Sequence, residues 1–442
     1  MWRAKVFGVV TLAVVLILLI SILGTIGAQD ATVLITYGDT WTWPYQPDAL
    51  AHLSSGRFFV PVQDENKIAI INPDAEDYGL TFVETEFVQP HHTWIAPGMR
   101  YAFINFQSEG KGDHDAYARM DTFTNEIEYR HTGINDPFHG SFSPTGGVLV
   151  TADIATDAGH VYIWDVASFD LLGTVETSGQ RTRDINISHD GKYAFIGQQG
   201  YDPDNGVVGG VDVLDIAAQK IVATLGEGRC RAGKMNFAGT RVLYSCDRAD
   251  KIAVIDVATL ELVKYIDVPE GSGPFNIGFR PDDAFAYVGL SKAGQLGVID
   301  MSTLELVATL DSGKATNSTY PHPTAPIAIV TNDDTDAHVS VLNTETNTID
   351  YTIETGKGTH NGQWSADGRW FLVSDRLDDS VTLLSYNAET GMVEWYDDIT
   401  VGFGANGVQW APYFCGVDEL TSENVATVTN QAPLDAEGTC PA

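Results

Sequence analysis

The sequence predicts an all-β protein built as a single β-propeller of four-stranded blades. A strand–turn–strand pattern recurs along nearly the whole chain, at a period of 42 to 50 residues. The composition agrees, because 43 Gly and 18 Pro among 442 residues suit short strands joined by turns. Four strands per period of this length is typical of a propeller blade.

The repeat begins with a hairpin that alternates apolar and polar residues around a tight turn. Its clearest copies are FHGSFSPTGGVLVTA (138–152), TRDINISHDGKYAFIG (182–197), GPFNIGFRPDDAFAYVG (273–289) and THNGQWSADGRWFLVS (359–374). A second hairpin follows each copy, as in KIAVIDVATLELVKYIDV (251–268). We expect the residue that ends the third strand to cap the next turn. These residues are Asn72, Asp121, Asp165, Asp215, Asp256, Asp300, Asn343 and Ser385.

The residue just before the first turn gives a common reference, which we call the anchor. The anchors are Leu53, Ala96, Ser143, Ser188, Ala238, Arg280, His322, Ser365 and Ala411. Nine anchors bound eight periods, which favours eight blades, with seven possible if the weak first copy is irregular. No repeat follows the last anchor. The segment GVQWAPYF (407–414) is therefore predicted to supply the inner strand of the first blade and to close the ring.

The N-terminal segment predicts export. Arg3 and Lys5 precede an uncharged apolar run, and the stretch before Gln29 is a passable cleavage site. We divide the chain into residues 1–28, a signal peptide or membrane anchor, a lead-in at 29–47, the propeller at 48–412 and a tail at 413–442. The expected location is the periplasm, the cell surface or the medium. Contact with a membrane is expected only through the first segment, if it is retained.

The net charge excludes one class of partner. Twenty-five Lys and Arg face 59 Asp and Glu, for a formal charge of −34 and a pI near 4.4. Such a field repels phosphate backbones, and no basic run opposes it. Nucleic acid is excluded as a partner.

The four cysteines fit an oxidising compartment. Cys230 and Cys246 are equidistant from Ala238, so an antiparallel hairpin sets them opposite each other within disulfide reach. Cys415 and Cys440 are left to pair and to hold the tail. There is no CxxCH, so a covalently attached c-type haem is not expected.

The repeats resemble a known group of exported propellers. Strands such as VIDVATLELV (254–263) and turns such as SHDGKYAFI (188–196) are similar to YVTN-type and WD40-like repeats. Eight blades with histidines on inner strands resemble the haem d1 propeller of cytochrome cd1 nitrite reductases. This resemblance implies a haem-type ligand. The pair His91-His92 resembles, more distantly, the copper propeller of nitrous oxide reductase, although the set of seven ligand histidines is not matched.

The inner strand of each blade lines the central channel, so equivalent positions form a ring. We take the two residues that stand five and four positions before each anchor. The pairs are His91/His92, Phe138/His139, Arg183/Asp184, Gly233/Lys234, Phe275/Asn276, Asn317/Ser318, His360/Asn361 and Asn406/Gly407. The predicted site is therefore a polar ring at one mouth of the channel. A solvated channel lining without a ligand is the alternative.

Four of the eleven histidines fall on this ring: His91, His92, His139 and His360. Converging imidazoles can hold copper, zinc or iron. They can equally ligate a haem-type cofactor, with Arg183 and Lys234 binding its propionates. The remaining predicted ligand-binding residues are the amides Asn276, Asn317, Asn361 and Asn406. Asp184 is the one carboxylate of the ring, which disfavours calcium and suits a residue that pairs with Arg183 or with a ring histidine.

Because neighbouring side chains of a strand point to opposite faces, His91 and His92 can both face inward only if the strand is bulged or only begins there. We therefore expect His92 and His139, which share a register, to face one ligand, with His360 on the far side of the ring. The favoured function is an exported propeller that binds a transition metal or haem-type cofactor in its channel, with a redox-related role as one option. The alternative is an extracellular scaffold that binds proteins or glycans and holds no cofactor. A lactonase-type hydrolase is a third class, but the ring lacks acidic metal ligands.

Overall fold

A computed structural model gives the structure of the chain. It describes residues 53–420, apart from residue 54 and residues 108–115, 131–133, 135, 155–158, 203, 205, 208 and 416. The predicted export segment (1–28) and lead-in (29–47) lie outside the described residues, as does Cys440. No helix within the described residues has the length and apolarity needed to cross a membrane.

The described residues fold into strands, with two short 3-10 segments at Gln63–Glu65 and Glu76–Gly79. The strands of the first half are β1 (Gly56–Val62), β2 (Lys67–Ile71), β3 (Thr81–Glu84), β4 (Pro90–Ile95), β5 (Tyr101–Phe106), β6 (Ala116–Asp121), β7 (Ile127–Arg130), β8 (Pro137–Phe142), β9 (Val148–Asp153), β10 (His160–Asp165), β11 (Leu171–Glu176), β12 (Thr182–Ile187), β13 (Tyr193–Gln198), β14 (Gly210–Asp215) and β15 (Lys220–Leu225).

The second half continues the same order. Its strands are β16 (Cys230–Met235), β17 (Arg241–Cys246), β18 (Lys251–Asp256), β19 (Glu261–Asp267), β20 (Pro274–Phe279), β21 (Phe285–Leu290), β22 (Gln295–Asp300), β23 (Glu305–Asp311), β24 (Thr316–Pro321), β25 (Ile327–Asn332), β26 (His338–Asn343), β27 (Thr348–Glu354), β28 (Thr359–Trp364), β29 (Trp370–Asp375), β30 (Ser380–Asn387), β31 (Met392–Thr400) and β32 (Gln409–Pro412).

Within the described residues, these strands form eight antiparallel groups of four, which we call blades 1 to 8. Blade 1 has the order β3-β2-β1-β32, and each later blade takes four consecutive strands from β4 onward. One residue pair, Gln198 with Cys230, joins blades 4 and 5 into a single sheet. The inner strands β32, β4, β8, β12, β16, β20, β24 and β28 each contact the next, and β28 returns to β32. The predicted β-propeller class is confirmed.

The C-terminal strand closes the ring, as its position after the last repeat predicts. β32 pairs antiparallel with β1, with Phe58 opposite Trp410 and Gly56 opposite Pro412. Blade 1 is thus made from both ends of the described chain.

The core lies between neighbouring blades. Middle strands such as β13 and β21 are buried along most of their length, whereas the outer strand β23 alternates exposed and half-buried residues. This difference follows from position, since a middle strand is covered on both faces and an outer strand on one. Blades 6 and 7 share one such cluster, made of Tyr287, Leu296, Val298, Ala328, Val330 and Leu342.

The predicted turn caps are present. The Asp256 carboxylate accepts hydrogen bonds from the backbone N–H groups of Ala258 (3.0 Å) and Thr259 (2.9 Å). These bonds, with the Arg241 charge, hold the pKa of Asp256 below its usual value against the opposing effect of burial. The prediction that Ser385 caps the corresponding turn of blade 8 is wrong. There β30 runs on to Asn387, whose side chain accepts from the backbone of Glu389 (3.0 Å).

The disulfide between Cys230 and Cys246 is confirmed. The two residues are directly opposite in the β16–β17 pairing, and both are fully buried. The second predicted pair cannot be described, because Cys440 lies outside the described residues. The Cys415–Cys440 link therefore stays a prediction.

We expect the double substitution Cys230→Ala/Cys246→Ala to lower the free energy of unfolding by about 2–3 kcal/mol, since the bond closes a short loop. Urea unfolding with and without reductant measures this effect. The matched control is Cys415→Ser/Cys440→Ser, which should keep a reductant-sensitive stability that the first variant has lost. If both variants were equally sensitive to reductant, the Cys230–Cys246 disulfide would be contradicted.

Candidate functional site in the channel

The ring positions lie where the inner strands are bulged. The pairing of β8 with β9 shifts between Pro137 and Gly140, and that of β28 with β29 shifts between Thr359 and Gly362. The same irregularity occurs at the start of β4, β12, β16, β20 and β24. A bulge bends the strand and re-aims side chains. Two successive residues can therefore face one site, which meets the condition stated above for His91 and His92 both to face inward.

The inner strands present three layers of residues. The upper ring comprises the residues five positions before the turn: His91, Phe138, Arg183, Arg231, Phe275, Asn317, His360 and Asn406. The middle ring comprises the next residues: His92, His139, Asp184, Ala232, Asn276, Ser318, Asn361 and Gly407. The lower ring lies two residues further along: Trp94, Ser141, Asn186, Lys234, Gly278, Tyr320, Gln363 and Gln409.

The structure corrects the prediction for blade 5. The turn bond there runs from the Asn236 N–H to Arg241 O (3.0 Å), as the Ser188 N–H binds Tyr193 O in blade 4 (2.8 Å). Asn236 is thus the anchor rather than Ala238. The ring residues of this blade are therefore Arg231 and Ala232, and Lys234 moves to the lower ring.

Three imidazoles meet on blades 2 and 3. The Nδ1 atoms of His91 and His92 lie 2.5 Å apart, and the rings of His92 and His139 are 4.5 Å apart, edge to face. Burial, aided by the other ring histidines and Arg183, holds the pKa values of His91 and His92 well below the usual range. Both are therefore neutral at pH 7, as a metal ligand or an imidazole that accepts a hydrogen bond must be.

His139 is held by a carboxylate. Its Nδ1 lies 2.5 Å from Asp184 Oδ1, while its Nε2 is buried and has no hydrogen-bond partner among the described residues. Burial alone would raise the pKa of Asp184, but His139, Arg183 and the Gly233 N–H together lower it. The ionised carboxylate accepts a hydrogen bond from Nδ1–H of His139 and thereby fixes the orientation of the ring.

Cations gather on blades 4 and 5. Arg183 lies over the rings of Phe138 (5.1 Å) and Phe275 (5.4 Å), and Arg231 lies over Phe275 (4.3 Å). Arg229 and Arg231 both pair with Asp247, at 3.3 and 3.1 Å. Burial lowers the pKa of Arg231 to about 10, with Arg183 contributing, so the group stays charged at pH 7. This sector is locally basic within a strongly acidic chain.

Amides form the remaining sector. Asn276 donates to Asn317 Oδ1 (2.7 Å), and Asn361 donates to Asn406 Oδ1 (3.1 Å). Asn317 and Asn406 are buried, at 2% and 1% exposure, and their side-chain oxygens hold Asn276 and Asn361 in place. Asn276 and Asn361 are half-buried and lie in the middle ring.

His360 does not lie on the far side of the ring from the other histidines. It belongs to blade 8, whose inner strand β28 contacts β32, and β32 contacts β4 of blade 2. Its neighbour Asn361 lies 3.5 Å from His92 Nε2. Ring closure places the last blade two positions from His91 and His92, so that part of the prediction is wrong.

A second set of site residues follows the second strand of several blades. These residues were not predicted from the sequence. Asp333 Oδ2 lies 3.1 Å from His360 Nδ1 and 3.1 Å from Arg376 Nη2. Gln199 accepts from Arg183 (3.2 Å), and Gln63 accepts from Asn406 (3.2 Å). Gln199 and Asp333 each stand 11 residues after the anchor of their repeat (199 − 188 and 333 − 322), and Gln63 stands 10 after Leu53 (63 − 53). A count from the anchor of each repeat could therefore have identified them in the sequence.

Within the described residues, no group of three or more His, Cys, Asp or Glu side chains is arranged to hold a metal ion. His92 and His139 are brought together with His91, but their imidazoles contact one another and do not converge on one point. The prediction that His91, His92, His139 and His360 alone hold copper, zinc or iron gains no support from the structure.

One family model matches part of the chain. Residues 207–398 match the family model described as the cytochrome D1 heme domain. No curated protein sequence matches the chain. The matched region contains Arg229, Arg231, Asp333 and His360, whereas His92 and His139 precede it.

Solved structures share the fold. Dihydro-heme d1 dehydrogenase NirN in complex with DHE is 14% identical, with a TM-score of 0.61 over 82% of this chain and 75% of that one. The periplasmic gluconolactonase PpgL of Pseudomonas aeruginosa is 18% identical, with a TM-score of 0.55 over 70% and 98%. Hydrazine synthase of Kuenenia stuttgartiensis is 17% identical, with a TM-score of 0.54 over 69% and 97%. At these identities the likeness concerns the fold.

Proposed function

We propose that this protein is exported and binds a haem d1-type tetrapyrrole in the upper and middle rings of its channel. The proposal rests on the surroundings of His139. Its Nδ1 is held by Asp184, and its buried Nε2 has no partner in the described part of the chain. An imidazole oriented by a carboxylate is the usual form of a histidine that ligates a metal centre.

The neighbouring side chains fit such a ligand. Phe138 and Phe275 provide aromatic faces on either side of Arg183. Arg183 and Arg231 can bind the acidic groups of a tetrapyrrole, since guanidinium groups pair well with carboxylates. His91 and His92, both neutral, remain on the other side of His139. A bound haem-type group would supply redox chemistry at its iron.

The match to the heme domain and the fold shared with NirN, whose solved complex contains DHE, support this ligand class. They do not identify a substrate. The periplasmic relative of the same fold supports export, as does the N-terminal sequence. The proposed location is the periplasm or another compartment outside the cytoplasm.

A second candidate is a scaffold that binds extracellular proteins or glycans. The outer strand β31 favours it, because Trp395 and Tyr396 are about half exposed, at 51% and 49%. Exposed aromatic side chains are common at binding surfaces. This function needs no ligand in the channel, so the two candidates are separable by experiment.

The substitution His139→Gln is expected to abolish tetrapyrrole binding while leaving the melting temperature of the apoprotein nearly unchanged, because the glutamine amide can still donate a hydrogen bond to Asp184. The imidazole lines the channel and contributes little to the core between blades. The measurement is the visible spectrum and metal content of protein from its native host, and of apoprotein titrated with haem. His338→Gln is the matched control, since His338 lies in β26, away from the inner strands.

Arg231→Gln should weaken haem binding and leave the spectrum of the bound form unchanged, because this residue is proposed to bind carboxylates and not iron. Native protein that carries neither metal nor chromophore, together with apoprotein that binds no haem, would leave the scaffold as the function.

A further inference from the structure

Lys234 is the only lysine on the inner strands of the described blades, and it lies in the lower ring. Its side chain is exposed, although β16 is otherwise a buried or half-buried strand. Side chains at alternate positions of an inner strand face the channel. Since the middle ring occupies the preceding alternate position, Lys234 faces the channel one layer below the histidines and arginines.

No hydrogen bond or ion pair holds Lys234 within the described residues. Most other cations near the channel are paired. Arg183 lies 3.7 Å from Asp184, and Arg231 and Arg229 pair with Asp247. Asp184 is itself engaged by His139 and by the Gly233 N–H (3.2 Å). The Lys234 ammonium is therefore left without a counter-ion.

The lower ring has no carboxylate. Besides Lys234 it presents the indole N–H of Trp94, the hydroxyl of Ser141 and the amide of Gln363, which belong to blades 2, 3 and 8. None of these three has a hydrogen-bond partner among the described residues. The adjoining lower-ring residues are already engaged: Asn186 donates to Tyr244 (3.0 Å), and Tyr320 donates to Asn361 (3.3 Å).

This layer therefore combines one unpaired cation with several unused donors, in a chain of net charge −34. The protein around the channel desolvates Lys234 and lowers its pKa, while Asp184 opposes the shift. A bound anion would supply the missing counter-charge at Lys234.

We propose that the lower ring is a binding site for a small monovalent oxyanion of the carboxylate type, with Lys234 as its charged contact. The site lies beneath the proposed tetrapyrrole site and uses none of its residues. It does not depend on the proposed function, because the apoprotein alone contains all of its groups.

The test is equilibrium dialysis of the full apoprotein with radiolabelled formate at constant ionic strength. We expect saturable binding to the wild type and a loss of affinity of about tenfold or more in Lys234→Gln, as removal of a charged hydrogen-bond partner produces. Lys234→Arg keeps the charge and should bind within about threefold of the wild type. Lys264→Gln, on the outer strand β19, is the matched control and should bind as the wild type does.

Arg231→Gln separates this site from the proposed tetrapyrrole site. Unchanged formate binding in Arg231→Gln, together with loss of binding in Lys234→Gln, would support an anion site in the lower ring. Loss in Arg231→Gln with normal binding in Lys234→Gln would place the anion among the arginines and overturn the inference, while leaving the proposed tetrapyrrole site intact. A wild type that binds no formate would also overturn it.

Discussion

A chain that ends before Gly404 is expected to aggregate or to melt far below the full chain. The deletion removes β32, the inner strand of blade 1, and leaves the edge of β1 unpaired. It also removes Trp410 and Phe414, which are 7% and 0% exposed in the cluster that joins the first and last blades.

Burial of each large apolar side chain contributes about 2 kcal/mol, so the deletion removes a large part of the 5–15 kcal/mol typical of a folded domain. Thermal melting with light scattering measures the effect. The matched control is a chain that ends at Leu420, which keeps β32 and the buried Leu420 side chain. A chain ending before Gly404 that melts as the control does would contradict closure by β32.

The second expected result is that Asp375→Asn stabilises the protein above neutral pH. Asp375 is fully buried at the end of β29, and its Oδ1 has no partner in the described chain. The Thr382 hydroxyl lies 2.8 Å from both Asp375 Oδ2 and Asp398 Oδ1. One hydroxyl proton cannot serve two carboxylates. A proton on Asp375 resolves the conflict, because Asp375 can then donate to Thr382 while Thr382 donates to Asp398.

Burial raises the pKa of Asp375 to about 8, against the lowering effect of bonds from Thr382 and Ser380. The unfolded chain has a pKa near its ordinary value of about 3.9. Because the folded pKa is the higher one, the unfolded state loses its proton first as pH rises. Stability is therefore fully present below about pH 4 and falls as pH rises toward 8, by up to about 1.4 kcal/mol per pH unit.

Asparagine keeps a donor for Thr382 and cannot ionise. We expect Asp375→Asn to gain a few kcal/mol at pH 7–8 over the wild type, and little at pH 4. Urea unfolding at a series of pH values measures the difference. Glu389→Gln, an exposed carboxylate near the end of β30, is the control and should leave the pH profile unchanged. A loss in Asp375→Asn that is the same at every pH would show that ionisation of Asp375 does not govern stability.

The sequence by itself determined the propeller class, the closing strand, the Cys230–Cys246 pair and the polar character of the channel. Each depends on short-range pattern: a hairpin repeats, and a residue opposite another in one hairpin can be counted from the turn. The same counting placed the ring residues of seven blades correctly. It failed in blade 5, where the turn begins at Asn236 and the count started two residues late.

Only the tertiary structure decided which residues of different blades meet. Asp333 approaches His360, and Asp184 approaches His139, across the gap between neighbouring blades. Closure of the ring brings Asn361 of blade 8 near His92 of blade 2, although 269 residues separate them. Counting along one chain gives the height of a side chain in the channel. The bulges and the packing of one blade on the next give its direction and its partner, because both depend on contacts between segments far apart in sequence.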